Sequence, residues 1–262
     1  MHTKNLSPRQ REMVEREGRI LESARSLLLN EGYYATTMDR IAEASGCPKG
    51  TMYQCFACKE DIILALALQA HRKRMSFVRR GVSFSGRPRE RMVAAGEGTG
   101  LFAQLNPEES RILHLATGPI REKGSPQRLQ AIQTTEREVV GLLRDVLVQA
   151  VAQGDLDFGE NATIEEITYA LCALIDGAYT LAESGLPQYA LGLQNPKQEM
   201  WWMFNRLADA YGWRPRFSEQ DWEETLAEIR RTVFPEEAQR LYGPGAWYGD
   251  AGCTHPGTRR HF

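Results

Sequence analysis

Apolar residues recur at helical spacing along most of this chain. Between Arg16 and Asn30, for example, Ile20, Ala24, Leu27 and Leu28 share one helical face. No stretch alternates apolar and polar residues convincingly, as a half-buried strand would. The pattern therefore predicts an all-α fold.

The segment after this first helix predicts two short helices joined by a tight turn. Thr36 or Thr37 is suited to cap the first, and Gly46 to end it. Pro48 is suited to begin the second, where its missing N–H costs nothing. The apolar positions are Met38, Ile41 and Ala42 in the first helix, and Met52 and Phe56 in the second. Their polar side chains are therefore expected to face outward.

The rest of the chain predicts a connecting helix and a larger helical body. The connecting helix runs from Lys59 towards residue 80, and the Gly-, Ser- and Pro-containing stretch 81–88 marks a boundary. Proline and glycine positions then delimit the body helices. We expect them near 89–105, 107–117, 126–153, 163–184, 196–211 and 218–234.

These elements define four predicted segments. Residues 1–15 are polar and form a mobile basic arm, and residues 16–62 form a helix-turn-helix domain. Residues 81–234 form a helical body. Residues 235–262 are rich in glycine and proline and are expected to be irregular, pinned in part by Trp247 and Tyr248.

Charge divides along the same line. Residues 1–80 carry 14 Lys and Arg against 9 Asp and Glu, a net charge of +5, whereas residues 81–262 carry 18 against 25, a net charge of −7. A basic head on an acidic body suits a protein whose head binds a polyanion. Chance scatter of surface charge is the plain alternative.

The cysteine count and the apolar runs predict the cellular compartment of the protein and the redox state of its thiols. The five cysteines are few and odd in number, which favours a reducing compartment over a disulfide framework. The N-terminal residues contain no apolar signal region, and the longest apolar run, Ile62 to Leu68, is too short to span a membrane. We therefore predict a cytoplasmic protein without membrane association.

The second short helix carries groups suited to DNA. Lys49, Thr51, Tyr53 and Lys59 are potential phosphate donors, and Lys49, Tyr53 and Gln54 are candidates to reach base edges. Gly50 would allow close approach of the backbone to the duplex. Gln54 is the best candidate for sequence discrimination. The alternative is a helix-turn-helix that packs without DNA.

These residues resemble a known family. The run from Ile20 through Leu64 resembles the N-terminal domain of TetR-type transcriptional repressors, of the TetR/AcrR regulator family. The matching residues are Gly32-Tyr33, Thr36-Thr37-Met38, Ile41-Ala42, Ser45-Gly46, Lys49-Gly50-Thr51-Met52-Tyr53, Phe56 and Lys59-Glu60. The resemblance implies a three-helix head, a connecting fourth helix and a body that binds a small-molecule effector and forms a homodimer.

The resemblance also assigns roles to residues. It implies that Thr37, Tyr53 and Lys59 touch phosphates and that Lys49 to Gln54 lie on the recognition helix. It implies that helices 163–184 and 196–211 form the dimer contact. The apolar residues of these helices are Ile167, Leu171, Leu174, Ile175 and Ala178, with small Ala173 and Gly177, and Met200, Met203, Phe204 and Leu207. Such a dimer would read a palindromic operator.

An effector pocket is expected among helices 89–153 and 163–184. The candidate residues are Phe102, Leu105, His114, Leu143, Leu147, Tyr169 and Tyr179. Core packing is the alternative for each of them.

Cys55 and Cys58 depart from the family pattern. A thiol at a helix N-terminus beside Lys59 is expected to have a lowered pKa. One hypothesis is therefore a redox sensor in which oxidation of these thiols releases DNA, and the alternative is two incidental thiols.

Enzyme function finds no support in the sequence. The glycine-rich run Gly96 to Gly100 follows no strand, so we expect it to weaken or bend its helix rather than bind phosphate. No cofactor or metal site is predicted. An architectural DNA binder would be more basic overall. We conclude that the chain encodes a DNA-binding transcriptional regulator, a repressor released from its operator by a small molecule.

Overall fold

The computed structural model describes residues 7–159 and 162–246. These residues form thirteen α-helices and a short 3-10 helix, with no strand among them. The all-α prediction is thus confirmed. The described residues fall into two compact units: one holds the chain up to Lys73 together with Asn106–Glu136, and the other holds Arg74–Leu105 and the chain from Arg137 onwards.

The first unit contains the predicted head. Its helices are α1 (Pro8–Ala35), α2 (Met38–Ser45), α3 (Lys49–Cys55), the first part of α4 (Lys59–Val82), α6 (Pro107–Leu115), α7 (Gly118–Glu122) and the first part of α8 (Pro126–Ala152). The predicted apolar faces are buried: Ile20, Ile41 and Met52 are each fully inaccessible. Local periodicity was therefore sufficient to identify the inward face of α1, α2 and α3.

The first helix begins earlier than predicted. Residues 8–15 are helical, so the prediction of a mobile arm over residues 1–15 is wrong for this part, while residues 1–6 lie outside the described residues. The reason is a capping box before Pro8. The Ser7 hydroxyl accepts a hydrogen bond from the Gln10 backbone N–H at 3.3 Å, and the Gln10 side chain accepts one from the Ser7 N–H at 2.9 Å.

The head core is larger than the helix-turn-helix segment. Ile112 and Ile132, from the segment assigned to the body by sequence, pack in the same buried cluster as Ile20 and Phe56. A carboxylate oxygen of Asp61 also accepts a hydrogen bond from the Ser125 N–H at 2.9 Å. The compact units therefore differ from the sequence division at residue 81, because these contacts join residues far apart along the chain.

The second unit contains the remaining helices. These are the last part of α4, α5 (Pro88–Leu105), the last part of α8, α9 (Ile164–Glu183), α10 (Leu186–Leu191), α11 (Pro196–Ala210), the 3-10 turn Phe217–Glu219, α12 (Trp222–Thr232) and α13 (Pro235–Tyr242). The six body helices expected from sequence are present. Helices α7, α10 and α13 were not predicted, and all three are short.

Helix α13 corrects the prediction of an irregular tail from residue 235. Pro235 occupies its first turn, with Glu236 and Glu237 beside it, which suits the positive end of the helix dipole. The Arg80 guanidinium bonds the Glu237 carboxylate and the Val233 carbonyl. The predicted anchors Trp247 and Tyr248 lie outside the described residues.

Across the described ranges, none of the helices combines the length and the apolar character that a bilayer crossing requires.

Candidate nucleic-acid interface and effector cavity

The turn between α2 and α3 is fixed by its ends. The Thr37 side chain caps α2 by accepting a hydrogen bond from the Arg40 N–H at 3.3 Å. Gly46 ends α2 with φ of 63°, a left-handed conformation that glycine adopts without strain. Its N–H donates to the Glu43 carbonyl at 3.2 Å. The predicted cap and break are confirmed.

Helix α3 is held by its apolar side and offers its polar side to solvent. Met52 and Phe56 are buried, and so is Cys47 just before the helix. Six exposed residues on α3 or at the starts of α2 and α3 form what we call the recognition surface. They are Thr37, Pro48, Lys49, Gly50, Tyr53 and Gln54. Thr51 is half-buried. All seven predicted DNA-binding residues are thus exposed or half-exposed. Lys49, Gly50, Thr51, Tyr53 and Gln54 lie on α3, Thr37 caps α2 and Lys59 begins α4.

Lys49 already has a partner on this surface. Its Nζ lies 2.8 Å from a carboxylate oxygen of Asp39 on α2, and both side chains are more than 60% exposed. The hydrogen bond to Asp39 raises the pKa of Lys49, so the amine stays charged. An exposed pair of this kind contributes little to stability, and a phosphate group can compete for the lysine.

Replacing Asp39 with asparagine is expected to strengthen binding to DNA of any sequence by about two- to fivefold. The change removes a negative charge from the recognition surface and releases Lys49 for a phosphate contact. The logarithmic salt dependence of binding should steepen by about 1. Fluorescence anisotropy titrations at several salt concentrations measure both quantities.

Glu43→Gln is the matched control, since Glu43 is also an exposed carboxylate on α2. An equal gain in affinity for Glu43→Gln would show that net charge, and not the Lys49 pair, sets the effect.

Lys59 is half-buried and directs its ammonium towards the end of α1. Its Nζ donates to the carbonyl oxygens of Tyr33 at 2.6 Å and Thr36 at 2.8 Å, and lies 3.8 Å from the centre of the Tyr33 ring. Burial lowers its pKa. The Tyr33 hydroxyl in turn donates to Glu60 at 2.5 Å. Lys59 therefore anchors the carbonyl groups at the end of α1, a contact that sequence reasoning missed.

The environment of the two thiols contradicts the expected activation. Burial raises the pKa of both Cys55 and Cys58 above the usual thiol value. The Cys58 thiol donates to the Lys123 carbonyl at 3.6 Å, and the neighbouring Lys59 ammonium is bound to carbonyls of α1. The expected lowering of the thiol pKa is wrong, because desolvation by burial is the largest influence on both groups.

The second unit contains a cavity of about 800 Å³. It is lined by residues of α5, α9, α11, α12 and α13 and by the residues just before α11. Its size and mostly apolar lining are typical of a small-molecule site. The lining includes Met92, Gly96, Glu97, Gly100, Tyr179, Met200, Trp201, Phe204, Leu226, Arg230 and Tyr242.

Of the seven candidate pocket residues, Tyr179 lines this cavity. Phe102 and Leu147 are buried elsewhere in the core, and Leu105 and Leu143 are half-buried away from the cavity lining. Tyr169 is 76% exposed, and His114 belongs to the first unit. Helical periodicity identifies buried faces but does not distinguish a cavity wall from a packed one.

The glycine-rich run explains part of the cavity. Helix α5 is continuous from Pro88 to Leu105 and runs through Gly96 to Gly100 without a break. A Cβ on Gly98 would lie 2.9 Å from the Phe77 carbonyl oxygen, so this glycine permits close helix packing. A Cβ on Gly96 would meet nothing within 4 Å, and its side of α5 opens onto the cavity.

A buried ion pair forms one part of the cavity wall. The Arg230 Nε donates to the Glu97 carboxylate at 2.6 Å, and the two side chains are 2% and 15% exposed. The Arg230 guanidinium also lies 4.6 Å from the centre of the Tyr242 ring. The pair leaves this wall with no net charge.

Comparison with known proteins shows which proteins the head is similar to. The family model described as bacterial regulatory proteins, tetR family, matches residues 20–66. The HTH-type transcriptional activator FasR of Mycolicibacterium smegmatis is 33% identical over 100 residues, which cover 38% of this chain and 45% of that protein. The match thus spans less than half the length of this curated relative.

Solved structures resemble most of the fold. A tetR-family regulatory protein from Rhodococcus RHA1 is 17% identical with a TM-score of 0.57, covering 76% of this chain and 98% of that one. A TetR/AcrR-family regulator from Thermobifida fusca is 21% identical with a TM-score of 0.54, covering 75% and 98%. At these identities the likeness concerns the fold.

The head has a helix-turn-helix with an exposed recognition surface, and the second unit is helical and contains a cavity. These features are typical of a helix-turn-helix regulatory protein. Residues 20–66 match the model of the tetR family of bacterial regulatory proteins, so the resemblance of this head to that family is confirmed over this segment.

Proposed function

We propose that this protein is a sequence-specific DNA-binding transcriptional regulator that binds a palindromic operator as a homodimer and is released by a small-molecule effector. The observation that carries the proposal is the recognition surface: α3 is locked by Met52 and Phe56 and presents Lys49, Tyr53 and Gln54 outward. No catalytic role is proposed. Because the proposed partner is DNA, we propose that the protein acts in the cytoplasm.

The recognition surface combines the two kinds of contact that operator binding needs. Thr37, Lys49 and Tyr53 are suited to phosphates, which set the position of the protein on the duplex. Gln54 has both an amide donor and an acceptor, and this pair matches the edge of adenine in the major groove. Gly50 carries no side chain, so the backbone of α3 can approach the DNA closely.

An apolar stripe on α9 supports a homodimer. Tyr169, Ala173, Gly177 and Leu181 are four residues apart and all exposed, with Tyr169 at 76% and Leu181 at 48%. On α11, Met203 is 43% exposed. Large exposed apolar residues in one row are typical of an interaction surface. Ala173, Gly177 and Met203 are already in the set that the resemblance implies for the dimer contact, whereas Tyr169 and Leu181 are additions to it.

That earlier set on α9 is in part internal core. Ile167 and Leu171 are buried within the second unit, which leaves them unavailable to a partner chain. The residues of α9 that face outward are Tyr169, Ala173, Gly177 and Leu181. Two heads joined through the outward stripe would meet two half-sites related by the same symmetry.

The sign of regulation depends on where the operator lies. A protein bound across a promoter excludes the polymerase and represses, and we propose this arrangement, with effector binding in the cavity lowering operator affinity. The curated relative is described as an activator. Binding and release are properties of the fold, whereas repression or activation follows from the position of the operator.

Two variants test the division of labour on α3. Tyr53→Ala is expected to weaken binding to all DNA, and Gln54→Ala to reduce discrimination between operator and scrambled DNA, each by about 1–3 kcal/mol. Mobility shift and anisotropy measurements use the intergenic DNA upstream of the protein's own gene, with a scrambled duplex as control. Equal losses on both duplexes for Gln54→Ala would contradict its assigned role. Wild-type binding that ignores sequence would contradict the proposed function itself.

A further inference from the structure

Two hydrogen-bond donors on the cavity wall have no partner. The Tyr179 hydroxyl and the Trp201 indole N–H are both buried, and among residues 7–159 and 162–246 neither finds an acceptor. Burial raises the pKa of Tyr179, so its hydroxyl keeps its proton and stays a donor. An indole N–H can only donate. Both groups therefore require an acceptor from outside these residues.

Leaving such groups unpaired is unfavourable. A buried donor without a partner has lost its hydration with no replacement, and a ligand that supplies an acceptor oxygen recovers part of this cost. A ligand of the same shape without the oxygen leaves both donors unpaired. The cavity should therefore select for an acceptor at this position.

The charge of the wall disfavours an ionised ligand. Arg230 is 2% exposed and is already neutralised by the Glu97 carboxylate at 2.6 Å. A carboxylate ligand would bring a second negative charge to the buried pair, and an uncompensated buried charge is strongly unfavourable. An uncharged acceptor such as a ketone, ester or amide carbonyl avoids this cost.

The remaining wall is mostly apolar, with Gln104 and Asn195 as polar members of the lining. The rings of Trp201 and Phe204 lie nearly parallel, with 17° between their planes, and Met92 and Met200 add adaptable apolar surface. Across the cavity, Gly96 of α5 carries no side chain into the space. Parallel aromatic rings beside an open wall suit a planar ligand.

We propose that the cavity binds an uncharged, planar, apolar molecule whose carbonyl-type oxygen accepts hydrogen bonds from Tyr179 and Trp201. The regulatory consequence rests on the proposed function, since binding here is expected to release the operator. The binding step itself does not depend on it.

Three naphthalene probes of nearly equal shape test the proposal on the full chain. These are 2-acetylnaphthalene, which has an uncharged acceptor, 2-isopropylnaphthalene, which has none, and 2-naphthoate, which is an anion. Calorimetry and thermal shift should show that the acetyl probe binds about tenfold or more tightly than either of the others. Equal affinity for the isopropyl probe, or tightest binding of naphthoate, would overturn the proposal.

Tyr179→Phe removes one donor with little change of shape. It should lower the affinity for the acetyl probe by about five- to tenfold and leave the isopropyl probe unchanged. Tyr189→Phe, on α10 and 77% exposed, is the matched control and should change neither. Unchanged binding of the acetyl probe to Tyr179→Phe and Trp201→Phe would refute the assigned contacts.

A third variant locates the site independently of the donors. Gly96→Leu places a side chain in the cavity, where its Cβ meets nothing within 4 Å, and should weaken binding of the acetyl probe at least tenfold. Retained binding would place the probe elsewhere and overturn the proposal. Operator release is measured separately, so tight binding without release contradicts the effector role while the ligand class stands.

Discussion

Replacing Gly50 with glutamate is expected to lower operator affinity about 100-fold or more while leaving the fold intact. Gly50 is exposed on the recognition surface, and a Cβ there would meet nothing within 4 Å. The helix gains from losing a glycine, by up to about 1 kcal/mol. The new carboxylate, however, faces the phosphates at the closest point of approach, and like charges brought together at an interface cost several kcal/mol.

Anisotropy titration with operator DNA measures the loss, and thermal unfolding checks that stability is unchanged or raised. Gly18→Glu on α1 is the matched control, because Gly18 is also an exposed glycine with open space around its Cβ. An equal loss for both variants would assign the effect to net charge alone. Wild-type affinity for Gly50→Glu would show that this end of α3 does not face DNA.

Replacing Arg89 with alanine is expected to destabilise the second unit by about 3–5 kcal/mol. The Arg89 side chain is fully buried, and one of its terminal nitrogens donates to Asp209 at 2.6 Å and to the carbonyls of Trp213 and Pro215 at 2.7 Å. The other donates to the side-chain oxygen of Asn205 at 3.0 Å. Burial lowers the pKa of Arg89, and these acceptors compensate for the cost of the buried charge.

The large effect follows from what the truncation leaves behind. Alanine would leave the Trp213 and Pro215 carbonyls without their donor at the place of a fully buried side chain, and the Asp209 carboxylate, which is 33% exposed, with the Phe217 N–H alone among these donors. Urea unfolding followed by circular dichroism measures the change. Arg231→Ala is the control, because its pair with Glu224 at 3.6 Å is about half exposed on both sides, and its loss should cost under about 1 kcal/mol. Similar costs for both variants would contradict a structural role for the Arg89 network.

Sequence reasoning succeeded where the signal is local. The Thr37 cap, the Gly46 break and the burial of Met52 and Phe56 all depend on residues within a few positions of each other. Helix boundaries marked by proline were located closely for the same reason. The short helices α7, α10 and α13 were missed, since each is too short to show a period.

The reasoning was least successful where the partner lies far along the chain. The contacts of the Lys59 ammonium with the carbonyls of Tyr33 and Thr36, more than twenty residues away, were not expected, and its phosphate contact stays a prediction. The thiols of Cys55 and Cys58 were expected to be activated by Lys59, yet burial dominates their pKa. Desolvation depends on the full three-dimensional neighbourhood, which no local pattern records.

The amino-acid sequence by itself determined the helical character of this protein, the turn between α2 and α3, and the polar groups that α3 presents. These are consequences of backbone preference, capping and periodicity, all of which act over a few residues. The tertiary structure alone decided that residues 106–136 join the head core and that Tyr169 faces outward. It also decided which side chains surround the cavity, because a cavity is the space left between helices, and its walls are set by how distant segments pack.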